Sequence, residues 1–598
     1  YGFLNSFDPA AFLNYLKYSL DTAKNFGDAM SDHPDVLKLE LSEIGLFIFA
    51  SLLAFVSVIV TERTLVRNKR SDLQTAALVL LIVLAYLFIL LKTGFVRHDF
   101  HTRTAWTGLI VMGTIYIAAR GGYRTPGCME VCLGIAMLTG VVAFHLAPSS
   151  ITPDFRVSHS IENQLKAPFL QLQELVQFVS HPGDWMSHKE NGKNSAFKQI
   201  QDSRKLPQLS GTVDSIPNIQ TAILAAGLDL KPRFTIQAYT SYSDRLIQKN
   251  TSYYNSEHAP DFVFFSPGSI SGRHPAHADG YLWPVLYSAY RPVEIMHDLV
   301  LLKRRTDRPG GQPQNIILKE QVTIGGCVEL PAHDTPLFAQ IDIQKSFLGA
   351  LASVAFKVPH LSIEIYKQDG TSSTHRLLWT ATRAGFVISP FINTATEFVE
   401  MGIENFTDFS KKGISKFCLT ANKTAPFFFK PDFDVAISEL DPSALVSADS
   451  LSPKLQEQLE ELSWMRSIAS TASGKTSSRV RIEDLGIFAH APTDLFVNPD
   501  NTELLRIRFG LDDDAWKGYN QSDGACFEVH TLEASAPIWQ RCLRPRETEQ
   551  DRGVQEAVIA LGQNPGKLLL RTTCGGDCRW DWTYWWKISL EKHQTIED

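Results

Sequence analysis

Six ionisable side chains, Lys92, Arg97, His98, Asp99, His101 and Arg103, fall within the twelve residues KTGFVRHDFHTR. Arginine makes paired hydrogen bonds to phosphate oxygens, and a neighbouring aspartate or histidine can remove a proton from an incoming hydroxyl. Transfer of a group from a phosphate-linked donor to a hydroxyl acceptor needs both. Arg97, Asp99 and His101 are therefore the catalytic candidates, with Lys92 and His98 as substrate contacts. The competing reading is an interfacial anchor whose cations snorkel to lipid headgroups.

The flanking elements decide where this cluster sits. Ile44 to Thr61 is a run of 18 uncharged, mostly apolar residues, and Leu73 to Leu91 is a run of 19. Each approaches the ~20 residues a helix needs to cross a bilayer. Thr104 to Ala119, opening near Trp106, and Val131 to Ala147 read as a third and a fourth span. Arg63, Arg67, Lys69 and Arg70 follow the first span, and Arg120 and Arg124 follow the third. The positive-inside rule puts both loops in the cytoplasm, so the Lys92 to Arg103 loop, the first forty residues and everything after Ala147 lie outside. Pro9 to Ser31 reads as an amphipathic helix on the outer surface. The chain opens on Tyr1, without an initiator Met or a secretory-signal pattern, and reads as a fragment of a longer polytopic protein.

Beyond the spans, SGTVDSI, PRFTIQAYTS and APDFVFFS alternate with helical pieces, the pattern of an α/β region. From 314 to 400, short alternating runs such as LFAQIDIQ and LSIEIYK are broken by turn signals such as QDGTSS, which reads as a β-sandwich. The last 110 residues are again β-rich. The expected class is α+β multidomain: transmembrane helices, then an extracytoplasmic α/β domain and two jelly-roll-like β-sandwiches. The expected segments are an outer amphipathic stretch at 1–40, the membrane region at 41–148, the α/β domain at 150–312, a sandwich at 313–445, a helical, polar linker at 446–480 and a second sandwich at 481–598. Cys327, Cys418, Cys526, Cys542, Cys574 and Cys578 all fall outside, where disulfides persist.

KTGFVRHDFH, preceded by NFGDAMS, resembles a motif of large, poorly characterised bacterial multi-pass membrane proteins, Lys-x-Gly-Phe-Val-Arg-His-Asp-x-His. GTVDSIP, RFTIQAYTSYSDRL, APDFVFF, SGRHP, PLFAQIDIQKSFLG and AGFVISPFI resemble that group's soluble portion in the same order, so the resemblance covers most of the chain. Phe26 stands where the group has Tyr, and Asp28 where it has a hydroxyl or Glu neighbourhood. The match falls on Lys92, Gly94, Arg97, His98, Asp99 and His101 in the membrane motif. In the soluble portion it falls on Asp214, Pro217, Arg233, Gln237, Tyr239, Arg273 and Pro275. The group's architecture is similar to that of O-antigen polymerase and ligase types, which use polyprenyl-linked sugar donors. The resemblance thus implies a lipid-linked sugar donor, a glycan acceptor and contact with membrane lipids.

Asp214, Arg233 and Arg273 lie in separate α/β pieces and are substrate-binding candidates if they converge at the strand ends; buried ion pairs are the alternative. His274, His277 and Asp279 have a superficially metal-like spacing, but Pro275 and Gly280 mark a turn that holds no two imidazoles on one helix face, so no metal and no cofactor is expected. In WDWTYWWKISL, the even positions Trp580, Trp582, Tyr584 and Trp586 share one strand face and read as core. That leaves Trp585, on the opposite face, as the candidate sugar platform.

Composition bounds the rest. With 57 Lys+Arg against 64 Asp+Glu in 598 residues, net −7, there is no chain-wide basic field, so nucleic acid is not an expected partner. The mean hydropathy of −0.07 averages an apolar block and a polar one. The resulting expectation is a multi-pass inner-membrane glycosyltransferase-like protein of the cell envelope. A noncatalytic scaffold or glycan-binding protein, or one subunit among other membrane subunits, is the alternative.

Overall fold

A computed structural model describes residues 9–31, 37–97, 101–120, 134, 157–296, 298–306, 315–403, 412–441, 446–447, 450–474, 476, 479–483, 486–499, 502–517, 522–532, 534, 536–562 and 565–591. Four helices come first: α1 (Pro9–Met30), α2 (Leu37–Arg67), α3 (Leu73–Phe95) and α4 (His101–Arg120). Asp72 caps α3, its carboxylate accepting from Thr75 N over 2.7 Å. Within α2 and α3, Glu43–Arg67 and Leu73–Phe95 are long and apolar enough to cross a membrane. α4 covers the third expected span but falls short of that standard, because Arg103 lies within it and Thr and Gly interrupt its apolar residues. The fourth expected span, Val131–Ala147, lies almost wholly outside the described residues.

α2, α3 and α4 meet through Phe47, Ala54, Leu87, Phe95, Ala105 and Trp106. A Cβ on Gly94 would lie 2.4 Å from the Ala105 Cβ, so only glycine admits this approach of α3 to α4, the small-residue device of apolar helix packing. Leu46, Phe49, Leu52, Leu81, Ile82 and Ile89 face outward.

The α/β part is a five-stranded sheet ordered β2-β1-β3-β5-β4, formed by Asp229–Leu230, Thr212–Ile216, Phe262–Phe265, Leu299–Arg304 and Tyr290–Met296. β1 runs parallel to β2 and β3, and the other pairings are antiparallel. β3 reads FVFF with three fully covered residues, as expected of a strand buried on both faces.

Two antiparallel sheets follow. β10 (Ser372–Leu377), β9 (Leu361–Lys367), β12 (Ile414–Ala421) and β7 (Cys327–Glu329) form one, in that order. β11 (Phe386–Ser389), β8 (Leu337–Asp342), β13 (Asp432–Glu439) and β6 (Asn315–Thr323) form the other. Their inward residues share one core with Val263, Phe265 and Trp283 of the α/β part.

The C-terminal part pairs a sheet ordered β14-β15-β22-β17-β20 with one ordered β16-β21-β18-β19. The first comprises Arg481–Glu483, Gly486–His490, Trp582–Glu591, Leu504–Leu511 and Gln555–Ala560; the second comprises Thr493–Val497, Leu568–Cys574, Ala525–Thr531 and Trp539–Leu543. The helix Pro453–Ala469 joins the two cores: Leu455, Leu459 and Leu462 enter the first, Met465 and Ile468 the second.

Among the described residues three disulfides form. Cys327–Cys418 and Cys526–Cys542 link residues directly opposite on neighbouring strands, and Cys574–Cys578 closes the loop after β21.

Candidate functional site

The NFGDAMS end of α1 and the KTGFV end of α3 meet the globular part at one junction. The last carbonyls of α1 have no intrahelical donors, and the helix has no basic residue in its own last turn. Arg273 donates to Ala29 O over 2.7 Å, and Arg376 donates to Asp28 O at 3.1 Å and Ala29 O at 3.0 Å. His360 Nε2 lies 2.9 Å from Ser31 Oγ. Asp28 is buried; its Oδ2 accepts from Ser353 Oγ at 2.8 Å and sits 3.6 Å from Lys345 Nζ. Lys92 Nζ reaches the same spot from α3, donating to Ser353 O over 3.0 Å.

Tyr242 is buried against this junction. Burial raises its phenol pKa, and the charges of Arg273 and Arg97 partly oppose that. Lys92, Arg97 and Arg273 are thus brought into one region, with His101 opening α4. Asp99 and His98 lie outside the described residues.

Asp214 and Arg233 do not line an accessible site, and here the structure corrects the expectation of substrate contact. Both side chains are fully buried, with Arg233 Nη1 3.3 Å from Asp214 and Nε 3.0 Å from Asp279. Burial alone would lower the guanidinium pKa, but Asp214 and Asp279 outweigh it and hold the pKa above the ordinary value. Tyr254 donates to Asp214 over 2.8 Å and Asn250 to Asp279 over 2.9 Å, closing the network. Arg273 stands apart from it, at the α1 terminus. His274 and His277 also turn away from each other: His274 Nδ1 accepts from Ala276 N and His277 Nε2 from Leu378 N.

The aromatic strand is inverted relative to the sequence reading. Trp585 is 0% exposed and packs on Phe509 and Phe527 in the second core. It is not a surface platform. The reason is a bulge: Arg508 pairs with Lys587 but Phe509 pairs with Trp585, leaving Trp586 as the extra residue. The bulge shifts the inward parity, so Trp585 and Ile588 both face the core. The even aromatics of β22 therefore point away from this core, where Tyr584 is itself covered by Phe488 and Trp586.

Tyr584 and Trp586 stack there with centroids 5.2 Å apart, and Trp580 meets Trp582 edge to face at 5.4 Å. Gly486 and Gly510 flank the Trp586 indole; a Cβ at either would lie within about 3.1 Å of it. Trp580 is 40% exposed and has φ 66°, a left-handed backbone that is strained for a bulky residue. The sequence signal for this face, aromatics at every second position, was present; the bulge that aims it was not.

The fold and these sites define a chain with two helices long and apolar enough to cross a membrane and, among the described residues, a large, globular, disulfide-bonded portion built of an α/β sheet and four antiparallel sheets. No family model and no curated protein matches it. Among solved structures, it is similar to the CBM51-2 and INT domains of ZmpB from Clostridium perfringens, at 15% identity and TM-score 0.15 over 18% of this chain and 22% of that one. It is also similar to the CBM51 of Clostridium perfringens GH95 in complex with methyl-galactose, at 16% identity and TM-score 0.15, over 18% of this chain and 72% of that one. The tandem CBM51 modules of Sp3GH98 from Streptococcus pneumoniae SP3-BS71 match at 10% identity and TM-score 0.17, over 50% of this chain and 89% of that one. Scores this low transfer neither fold nor function.

Proposed function

We propose that this chain is a membrane-associated, noncatalytic glycan-binding protein of the cell envelope. The observation that carries the reading is the aromatic cluster of the C-terminal sheet, with Trp580 held exposed in a strained backbone beside Trp582, and Trp586 stacked on Tyr584 further along the strand. Indole faces stack on the apolar faces of sugar rings, and backbone strain concentrated on an exposed aromatic is a mark of a functional site. The three disulfides support an extracytoplasmic, periplasmic setting for the portion after the spans, because such bonds persist in oxidising compartments. The test is a glycan array probed with the full chain in nanodiscs. Binding that disappears in Trp580→Ala and Trp586→Ala supports the reading; an array without signal, or one indifferent to both variants, overturns it.

A second reading is transfer of sugar from a polyprenyl-phosphate-linked donor at the membrane edge. Arg97, Asp99 and His101 would be catalytic, with Lys92 and His98 on the donor phosphates. It draws support from the buried Asp28, whose Oδ1 has no hydrogen-bond partner beside the Lys345 and Lys92 ammonium groups. Loss of glycan product in Arg97→Ala and Asp99→Ala at normal abundance is its expected result, and wild-type product from both rejects it.

A further inference from the structure

A cleft of about 920 Å³ opens on the β11-β8-β13-β6 sheet, and none of its lining residues belongs to the C-terminal sheets. Its floor is the outer face of the β11-β8-β13-β6 sheet, and the ladder register fixes how the floor is laid out. Ala436 pairs with Lys319 on one side and Gln340 on the other, forming one row across three strands. Asp434 pairs with Asp342 and Gln321 in the next row. Ala436, the smallest of these side chains, leaves the depression between them. The opposite wall is the first turn of the helix Asp244–Tyr254, which contributes Asp244, Arg245 and Gln248, and Arg383 lines the cleft as well.

The chemistry of the lining selects among ligands. Arg245, Lys319, Arg383, Asp342 and Asp434 all border the cleft, and among the described residues none forms an ion pair within 4.0 Å. With Asp244 and Glu320 the lining holds four carboxylates against three cations, so it presents no field of a single sign to draw in a polyanion or a polycation. The apolar lining is limited to Val435 and Ala436, too little for an acyl chain or an apolar peptide. An extended peptide docks by adding to a sheet edge through main-chain bonds. The central strands β8 and β13 of this floor have ladder partners on both sides, so over them only side chains are available for recognition, while β6 forms the sheet edge. Carboxylate, amide and guanidinium groups spaced along a sheet match the donor and acceptor pattern of ring hydroxyls.

We infer that this cleft binds a neutral, polyhydroxylated glycan segment, as a second site separate from the aromatic face. It does not depend on the reading of that face, and the two fail separately. The experiment uses the full chain in nanodiscs carrying Trp580→Ala and Trp586→Ala, probed with an array of neutral, anionic and cationic oligosaccharides and with a tetrapeptide. The expected result is that at least one neutral glycan still binds and anionic counterparts bind at least tenfold more weakly. That binding should fall at least tenfold when Gln340→Ala and Asp434→Asn are added. Arg383→Ala, on a different element, should reproduce the loss, with an unchanged near-ultraviolet circular dichroism spectrum confirming the fold. Absence of glycan binding in this background, binding indifferent to the cleft substitutions, or capture of the tetrapeptide in place of glycan overturns the inference.

Discussion

Arg273 and Ala29 stand 244 positions apart, yet the guanidinium of one donates to the main-chain carbonyl of the other over 2.7 Å. Arg376 donates to the same carbonyl at 3.0 Å. The C-terminal end of α1 is thus capped by two cations from the soluble portion, where the helix dipole favours positive charge. Burial pushes the Arg273 pKa down to about 10, which still leaves it charged at neutral pH. Its second fork, to Tyr239 O at 3.1 Å, ties the α/β part to the same point.

Arg273→Ala leaves the Tyr239 carbonyl without this donor and removes one of the two caps on Ala29. The expected cost is about 1–3 kcal/mol, localised at the junction. Hydrogen exchange should show faster exchange in the last turn of α1. Arg273→Lys should recover only part of the protection, because an ammonium on a flexible stem does not reproduce the planar fork. Unchanged exchange in the Ala variant would show that Arg376 alone holds α1.

The buried Arg233 network makes a sharper energetic prediction. Replacing Arg233 with Met leaves the Asp214 and Asp279 carboxylates uncompensated in the interior. Breaking a buried pair from one side costs about 3–5 kcal/mol. Urea denaturation of the Met variant should shift by that order, while Arg204→Met, which breaks an exposed pair with Asp298, should shift by less than about 1 kcal/mol. Equal shifts would contradict the burial argument.

What the sequence made legible follows from how local each signal is. The apolar runs of α2 and α3 and the strands β1 and β3 are periodicity and composition, so they read directly, whereas PRFTIQAYTS, strand-like in sequence, forms bends and a 3-10 turn at Ala238–Thr240. Four of the six paired cysteines meet because they sit opposite one another on neighbouring strands, and Cys574 and Cys578 meet across a short loop. The sealing of Asp214 and Arg233 is a tertiary fact; in the sequence they lie in two separate strand-like pieces, with nothing to mark that Tyr254 and Asn250 close over them. The β22 inversion had a misleading signal. Ile588 and Leu590 occupy even positions and suggest that all even residues face inward, which a single extra residue at Trp586 reverses. Likewise, Asp28 and Ser31 sit in NFGDAMS, but local spacing does not connect them to Lys345 or His360.

The two tryptophan positions should separate stability from binding. Trp585→Ala empties a fully buried site and should cost about 3–5 kcal/mol. Trp580→Gly instead relieves a left-handed backbone strained for a bulky residue, so thermal stability should hold or rise by up to about 1 kcal/mol. Glycan binding on the array should nevertheless be lost. A stable Trp580→Gly protein with undiminished binding would place the glycan contact elsewhere.

Asp581 provides a pH test of the C-terminal sheets. Its carboxyl is buried and its Oδ2 has no hydrogen-bond partner. Burial, reinforced by the negative charges of Asp523 and Asp577 and opposed by the Ser522 hydrogen bond, pushes its pKa up to about 7 from 3.8. Between those values the folded protein holds a proton that the unfolded chain has released. Its contribution to stability is therefore full below about pH 4 and is lost as pH rises through about 7. Burial holds His277 down to about 4, which acts in the opposite direction, since the unfolded imidazole takes up its proton first as pH falls below about 6.5. Comparing a variant with the wild type isolates each group. Asp581→Asn keeps an acceptor for Ser522 without the charge, so its stability relative to wild type should grow from pH 4 to pH 8, reaching an advantage on the order of 2 kcal/mol. Denaturation midpoints that run parallel for the two proteins across that range would show that Asp581 titrates at its ordinary value.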